Sequence, residues 1–315
     1  MIEIRSFQNG DLPQLVGVFH EHHQAAGIVP RVTTAQFEQA VLARTSFRPD
    51  QLLMLVDNSK VLGWCHFFVV PQSSASVASA KTVGCIAASC FGTQCDTDSA
   101  VRLVGEAADQ MAASGAGHLR AGLFHDEIFG YSGLEPYGPG FGVNQLDSRL
   151  IETLSSAGFH PELALTMLSA NTDCYRAPVN REALQLRRTS SIEIETVIPV
   201  SLTRASAFSH LDILRHRLVD RHGAEMGQVD FWFSDAEAEV MSPSTLIVDV
   251  PVLNESGMMT SCDAYLIASV LGEVGRRGIG LAQVSVESSS AALIEQLKKM
   301  CFVSSGEGVQ WERKS

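Results

Sequence analysis

The densest group of side chains able to move protons lies in residues 125–142, HDEIFGYSGLEPYGPGFG, which holds His125, Asp126, Glu127, Tyr131, Glu135 and Tyr137. A base that takes a proton from an amine near neutral pH needs an intermediate pKa. His125 or Glu127 has one if it is partly withdrawn from water, and Tyr131 adds a phenol beside them. Five glycines and two prolines fix or hinge this stretch; an ordered surface loop with tyrosines used for packing is the competing reading. A second polar group, His20-Glu21-His22-His23, is not the H-E-x-x-H zinc pattern, and no third ligand is apparent nearby. It reads as a polar helix end or as the lining of a binding site. The seven cysteines (65, 85, 90, 95, 174, 262 and 301) are odd in number and contain no C-x-x-C pair, so neither a disulfide framework nor a thiolate metal site is expected. Cys90 and Cys95 flank an expected helix start, where a thiol pKa falls; with no histidine base to place beside them they read as structural.

Positioning such groups takes a folded scaffold, and 315 residues suit two domains better than one. A 45% hydrophobic, 18% charged composition is that of a globular chain. The start MIEIRSFQNGDLPQLV has no uninterrupted apolar run and no later segment is long and apolar enough for a membrane span, so the cytoplasm is the expected location. A net charge of −12 opposes nucleic acid as a partner. A polyanionic cofactor would have to be held locally by backbone N–H groups or a few basic side chains.

The chain repeats itself. Leu150–Phe159 (LIETLSSAGF) and Leu293–Phe302 (LIEQLKKMCF) share the skeleton Leu-Ile-Glu-x-Leu-x-x-x-x-Phe. Gly115-Ala-Gly117 and Gly278-Ile-Gly280 each close an apolar-periodic run. At that offset Val104, Ala108 and Met111 fall on Ile267, Leu271 and Val274. Ile2-Glu3-Ile4 recurs as Ile192-Glu193-Ile194. Three elements in one order argue for duplication, the first copy being the longer through loop insertions on either side of its central helix. In copy one the expected elements are a strand at 2–7, helices from Leu12 and over 34–44, a hairpin of 52–56 with 61–70, a strand at 82–90, a helix over 98–114, a strand at 118–124, a helix over 149–157 and a strand at 163–169. Copy two reads as a strand at 192–198, a helix across 202–219, strands at 229–233, 239–241 and 246–253, a helix over 263–276, a strand at 281–286, a helix over 291–299 and a strand at 309–313. The polar stretch 171–190 with Pro178 reads as a linker.

This order, with GRRGIGLAQVSVESSSAALIEQLKKMCFVSSG (275–306), AASGAGHLRAGL (112–123) and RLIETLSSAGFHPE (149–162), resembles the GNAT superfamily of acyl-CoA-dependent N-acyltransferases. The resemblance implies an α/β chain of α+β type with two tandem GNAT-like domains, each a mixed, mostly antiparallel sheet flanked by helices. They would span 1–170, the likelier active half, and 191–315, joined by 171–190. It also implies acetyl-CoA or another acyl-CoA as co-substrate, with the cofactor's pyrophosphate on a Q/R-x-x-G-x-G/A loop that opens the central helix. Copy one has Gln94-Cys-Asp-Thr-Asp-Ser-Ala100 there and copy two 256–263, SGMMTSCD; neither keeps the glycines. The cofactor-binding candidates are accordingly Gln94, Thr97, Ser99 and backbone amides up to Ala100 in copy one, with Thr260 and Ser261 in copy two. Asp98 would sit beside the phosphates or act as the helix N-cap, and backbone near Ala88–Cys90 would polarise the thioester carbonyl. Members commonly carry an Asn before the last helix and a Tyr five residues before its Phe; here those places hold Asp147 and Leu154, and Ser290 and Leu297. In the family the 125–142 insertion would lie at the acceptor, making His125, Glu127 and Tyr131 catalytic candidates and a small-molecule amine the acceptor, in a monomer or homodimer. The alternatives are a degenerate protein that binds a ligand or partner without turnover, and a second copy that only buries the first copy's sheet edge.

Overall fold

The structure is a computed structural model that describes residues 2–71, 82–124, 130–178, 180–199 and 202–314. Its contacts divide the chain into two units, Met1–Ala164 with Gly308–Ser315, and Leu165–Glu307.

The first unit contains, in chain order, β1 (Ile2–Ser6), α1 (Leu12–Ala25), α2 (Thr34–Phe37), β2 (Leu52–Asp57), β3 (Lys60–Pro71), β4 (Thr82–Phe91), α3 (Thr97–Ala113), β5 (His118–Ala121), β6 (Val143–Asn144), α4 (Ser148–Ser156) and the start of β7 (His160–Asn171). α2 continues as a π-helical run, Glu38–Leu42. The second unit continues with the rest of β7, α5 (Arg181–Thr189), β8 (Ser190–Thr196), α6 (Leu202–Ala207), β9 (Leu211–Asp220), β10 (Glu225–Ser234), β11 (Thr245–Asp249), α7 (Ser261–Val274), β12 (Leu281–Glu287), α8 (Ala291–Lys299) and the start of β13 (Val303–Lys314).

In the first unit the strands run β1-β2-β3-β4-β5 and then the end of β13, with β6 also on β13. All neighbours are antiparallel except β4 and β5. The second unit repeats the plan: β8-β9-β10-β11 antiparallel, β12 parallel to β11, and β7 antiparallel on β12. Each unit therefore takes as its last strand the segment that, by sequence order, closes the other copy. Consecutive halves 1–170 and 191–315 differ from these units in that respect.

The apolar periodicity of α3 buries Ala100, Leu103, Val104, Ala107, Ala108 and Met111 against the sheet, the period a helix needs to cover one face. Gly115, at φ +88°, ends it, with Ala116 N–H donating back to Met111 C=O, and Gly278 at φ +85° closes the corresponding turn after α7. The repeated LIExLxxxxF is a second shared helix end. Phe159 N–H donates to Leu154 C=O at 3.0 Å and Phe302 N–H to Leu297 C=O at 3.1 Å, through a left-handed residue that is Gly158 in one copy and Cys301 in the other. Both leucines and both phenylalanines are buried, so the motif records helix closure onto a core.

Three expectations are corrected. The helix expected over 202–219 is α6 followed by β9: from Leu211 onward His216 and Leu218 are buried while Arg215 and Arg217 reach Asp230 and Glu193 across the sheet. That is a period of two, supported by cross-strand pairs. The strand expected at 239–241 is irregular chain leaving a turn at 236–238, which Asp235 Oδ1 holds by accepting from Glu237 and Ala238 N–H, with Glu239 at φ 51°. Within 171–190 the chain forms α5, capped by Asn180. Among the described residues no helix is long and apolar enough to cross a membrane.

Candidate active site

The first unit is opened where β4 parts from β5. The two pair from Val83↔His118 to Ile86↔Ala121 and no further, while β4 runs on to Phe91. On its other side β4 bulges: His66 pairs with Ala88 but Phe67 with Ile86, leaving Ala87 extra, the local device that re-aims a strand beside a site. Gly92 N–H bonds Leu62 C=O on β3, and Phe91 N–H points the other way, to His22 Nδ1 at 3.3 Å. By strand alternation Ser89 N–H shares Phe91's direction and faces the opening.

A cavity of about 40 Å³ lies there, lined by β4 at Ala87–Ser89, by His23 of α1, by Tyr137, and by Asp147 and Leu154 around α4. The 136–144 segment crosses it closely. Gly122 and Gly142 have φ +91° and +76°, and a Cβ on either would meet backbone atoms at 2.8 and 2.6 Å, Val143 N and Val309 C.

α1 brings two imidazoles to this place. His22 accepts from Phe91 N–H at Nδ1, so its proton is on Nε2, which donates to Asp147 Oδ2 at 2.7 Å; Asp147 Oδ1 in turn caps α4 through Leu150 N–H at 3.0 Å. His23 Nδ1–H donates to Phe19 C=O at 2.8 Å, leaving Nε2 with its lone pair. Burial, then the neighbouring His22, lowers His23 to about 4, so it is neutral at pH 7. Tyr137 shares a hydrogen bond with the Cys90 thiol, and burial first, then Cys90, raises its pKa well above the ordinary value. It keeps its proton at neutral pH, so the phenol has an O–H to donate.

Of the residues expected from sequence, His125 and Glu127 lie outside the described residues. Tyr131 is fully buried against Phe37 and Tyr137 rings, and its hydroxyl bonds His66 Nδ1 at 2.7 Å. Ala88 lines the cavity; Cys90 is reached through Tyr137. Burial raises Cys65, Cys90 and Cys95, Cys65 to about 12 and Cys95 to about 11, so none is a ready thiolate. The N-cap of α3 is Asp96 rather than Asp98: its Oδ1 accepts from Ser99 N–H at 2.7 Å, and Thr97 and Asp98 are already helical and exposed. Gln94 accepts from Lys60 Nζ at 2.7 Å. Ala100 is wholly buried in the core. His22, Ser89 and Asp147 were not given this role from sequence; the adjacency of His22 and His23 on a helix before a buried hairpin was the available signal. Among the described residues no group of three or more His, Cys, Asp or Glu is placed to hold a metal ion.

No family model and no curated protein matches the sequence. Solved structures do. A tandem GNAT protein from the clavulanic acid biosynthesis pathway is matched over 100% of this chain and 98% of its own, at 12% identity and a TM-score of 0.67. This chain has the tandem GNAT fold. A GCN5-related N-acetyltransferase from Sphaerobacter thermophilus, at 11% identity, covers 99% of this chain and 95% of its own with a TM-score of 0.65. A GCN5-related glucosamine N-acetyltransferase region of a fungal multi-domain β-N-acetylglucosaminidase gives 0.70 at 11% identity, over 99% of this chain and 38% of that one. Within the GNAT fold the opening beside β4 is the first unit's own, and Leu154 is buried on its wall where the resemblance leads one to look for a tyrosine.

Proposed function

We propose that the first unit transfers a small acyl group from a thioester of the acyl-CoA type to an amine of a small molecule. The observation that carries this is the opening at the β4 bulge, where a free strand edge, a neutral imidazole and a protonated phenol converge on one small cavity. A cavity of about 40 Å³ has room for only a few water-sized groups, since about 10–15 Å³ on this measure holds one water; that favours acetyl over long chains. Ser89 N–H faces the place of the carbonyl oxygen, the geometry that stabilises developing negative charge. As the amine nitrogen bonds the carbonyl carbon it becomes strongly acidic, so the weak base His23 Nε2 suffices to take its proton. The C–S bond then breaks, and the leaving sulfur takes the Tyr137 phenol proton as the proton on His23 Nε2 passes through water to the phenol oxygen, so the amine's proton ends on the thiol and both side chains return to their starting forms. The His22–Asp147 pair holds α1 and α4 against the end of β4.

The test is thiol release from acetyl thioesters over a panel of primary amines. Turnover that Tyr137→Phe lowers by about 100-fold, with KM nearly unchanged, supports the reading. Absence of thiol release with every amine sinks it. A second reading, binding without turnover, is favoured by the buried leucines at 154 and 297; binding of the thioester with no release selects it.

A further inference from the structure

At both helix starts where a nucleotide diphosphate would sit, carboxylates of the same unit take backbone N–H groups and line the approach. In the first unit Glu21 Oε2 accepts from Thr93 N–H at 3.1 Å, with the Thr93 hydroxyl at 3.4 Å, and Asp96 accepts from Ser99 N–H. Cys95 N–H is spent on Gly92 C=O and Ala100 N–H on Asp96 C=O. Two of the basic side chains nearby are spent as well, while Arg102 of α3 is exposed and close enough to Asp96 to help the Ser99 N–H bond lower its pKa. Arg149 donates to Phe91 C=O at 2.9 Å, Gly92 C=O at 3.0 Å and Cys95 C=O, and Lys60 bonds Gln94. A phosphate approaching α3 would meet Glu21, Asp96 and Asp98 where such a site offers unpaired N–H groups.

The second unit reaches the same result with different residues. Asp263, buried in the first turn of α7, accepts from Gln228 N–H at 3.1 Å and from Thr260 N–H at 3.3 Å and hydroxyl at 2.6 Å. Gln296 of α8 takes both polar groups of Met259, accepting from its N–H at 2.9 Å and donating to its C=O at 3.0 Å. A Cβ on Gly227 would stand 2.6 Å from Asp263 Oδ1, so strand and carboxylate are packed together. The pyrophosphate of CoA does not fit either place, although the β4 opening suits a thioester head.

We propose that the donor of the first unit is recognised through its acyl-pantetheine end, with no nucleotide diphosphate bound at the start of α3. This rests on the acyl-transfer reading above. Glu21 and Asp96 make the loop select against a polyanion, while the cavity at Ser89 selects the acyl head.

The experiment compares S-acetylpantetheine with acetyl-CoA on the full chain, by calorimetry and by thiol release. Affinities within about threefold of each other support the proposal. A larger preference for acetyl-CoA overturns it while leaving acyl transfer intact. Failure of both donors to bind overturns the acyl-transfer reading and this one with it. A second measurement uses the isosteric double variant Glu21→Gln, Asp96→Asn, which keeps a good N-cap. It should gain about threefold or more for acetyl-CoA with S-acetylpantetheine unchanged; no gain overturns the role assigned to these carboxylates.

Discussion

Replacing Asp147 by Ala removes two hydrogen bonds with one atom group. Its Oδ1 caps α4 at Leu150 N–H, and a lost cap costs about 1 kcal/mol. Its Oδ2 is the acceptor for His22 Nε2–H in a place where both side chains are almost fully buried, and a buried donor left without a partner costs about 1–3 kcal/mol. The sum is roughly 2–4 kcal/mol, which for a unit of this size lowers its melting temperature by roughly 5–15 °C. Asp147→Asn separates the parts. An amide oxygen still caps Leu150, but the amide NH₂ then faces His22 Nε2–H, and the imidazole cannot respond by moving its proton to Nδ1 because Phe91 N–H occupies that side. Asparagine should therefore recover only the cap, about 1 kcal/mol of the loss. Thermal unfolding followed by tryptophan fluorescence in a Trp232→Phe background, which leaves only Trp64 and Trp311 of the first unit, reads this out. An Asn variant as stable as the wild type, or an Ala variant within about 1 kcal/mol of it, would refute the argument.

Acid should weaken the first unit. His23 and His66 are lowered to about 4 and about 3, both chiefly by burial, so the folded state favours their neutral forms. Their contribution is full above the unfolded value of about 6.5 and is lost as pH falls toward the folded values. At pH 5 that is about 2 kcal/mol each, and urea titrations at pH 7.5 and 5 that give equal stability would contradict it. Cys301, at φ 67° in the left-handed region, stands where the other copy has Gly158. Cys301→Gly should stabilise the second unit by about 0.5–1 kcal/mol, read as a higher urea midpoint; a lower midpoint counts against the shared cap. Ending the chain at Glu307 withdraws Val309 and the buried Trp311 from the first unit's core. Loss of a tryptophan's packing alone costs about 3–5 kcal/mol, so that unit should lose its cooperative transition, whereas retention of a sharp Trp64 transition would argue that residues 308–314 are dispensable.

How much of this was legible in the sequence depended on the range of the interaction. α3 and α7, their glycine ends, and the two LIExLxxxxF helices were readable because periodicity and helix closure are local. β9 was not, because LDILRHRLVD carries both periods, and its pairs Arg215–Asp230 and Arg217–Glu193 exist only across the sheet. The N-cap was misplaced by two residues between Asp96 and Asp98, a choice that rests on which carboxylate turns toward Ser99 N–H. The site divided in the same way. Ala88 on β4 followed from element order, whereas His22, Phe91 and Asp147 meet from residues far apart in the chain, and Tyr137 shows its use only once the 136–144 segment lies across the cavity. Ala100, the last of the cofactor-loop candidates, turns its side chain wholly into the core.

The exchanged last strands bear on how the chain can be made. Synthesis runs from the N-terminus, and a domain ordinarily folds as soon as its own residues have emerged. Here β1 to β5 emerge early, but the strand that flanks β5, residues 311–314, is translated only after residues 165–307 of the second unit. The first unit's sheet must therefore wait with an open edge through the synthesis of the entire second unit. Synthesis halted anywhere before residue 308 would leave the first unit, and with it the proposed site, unfinished.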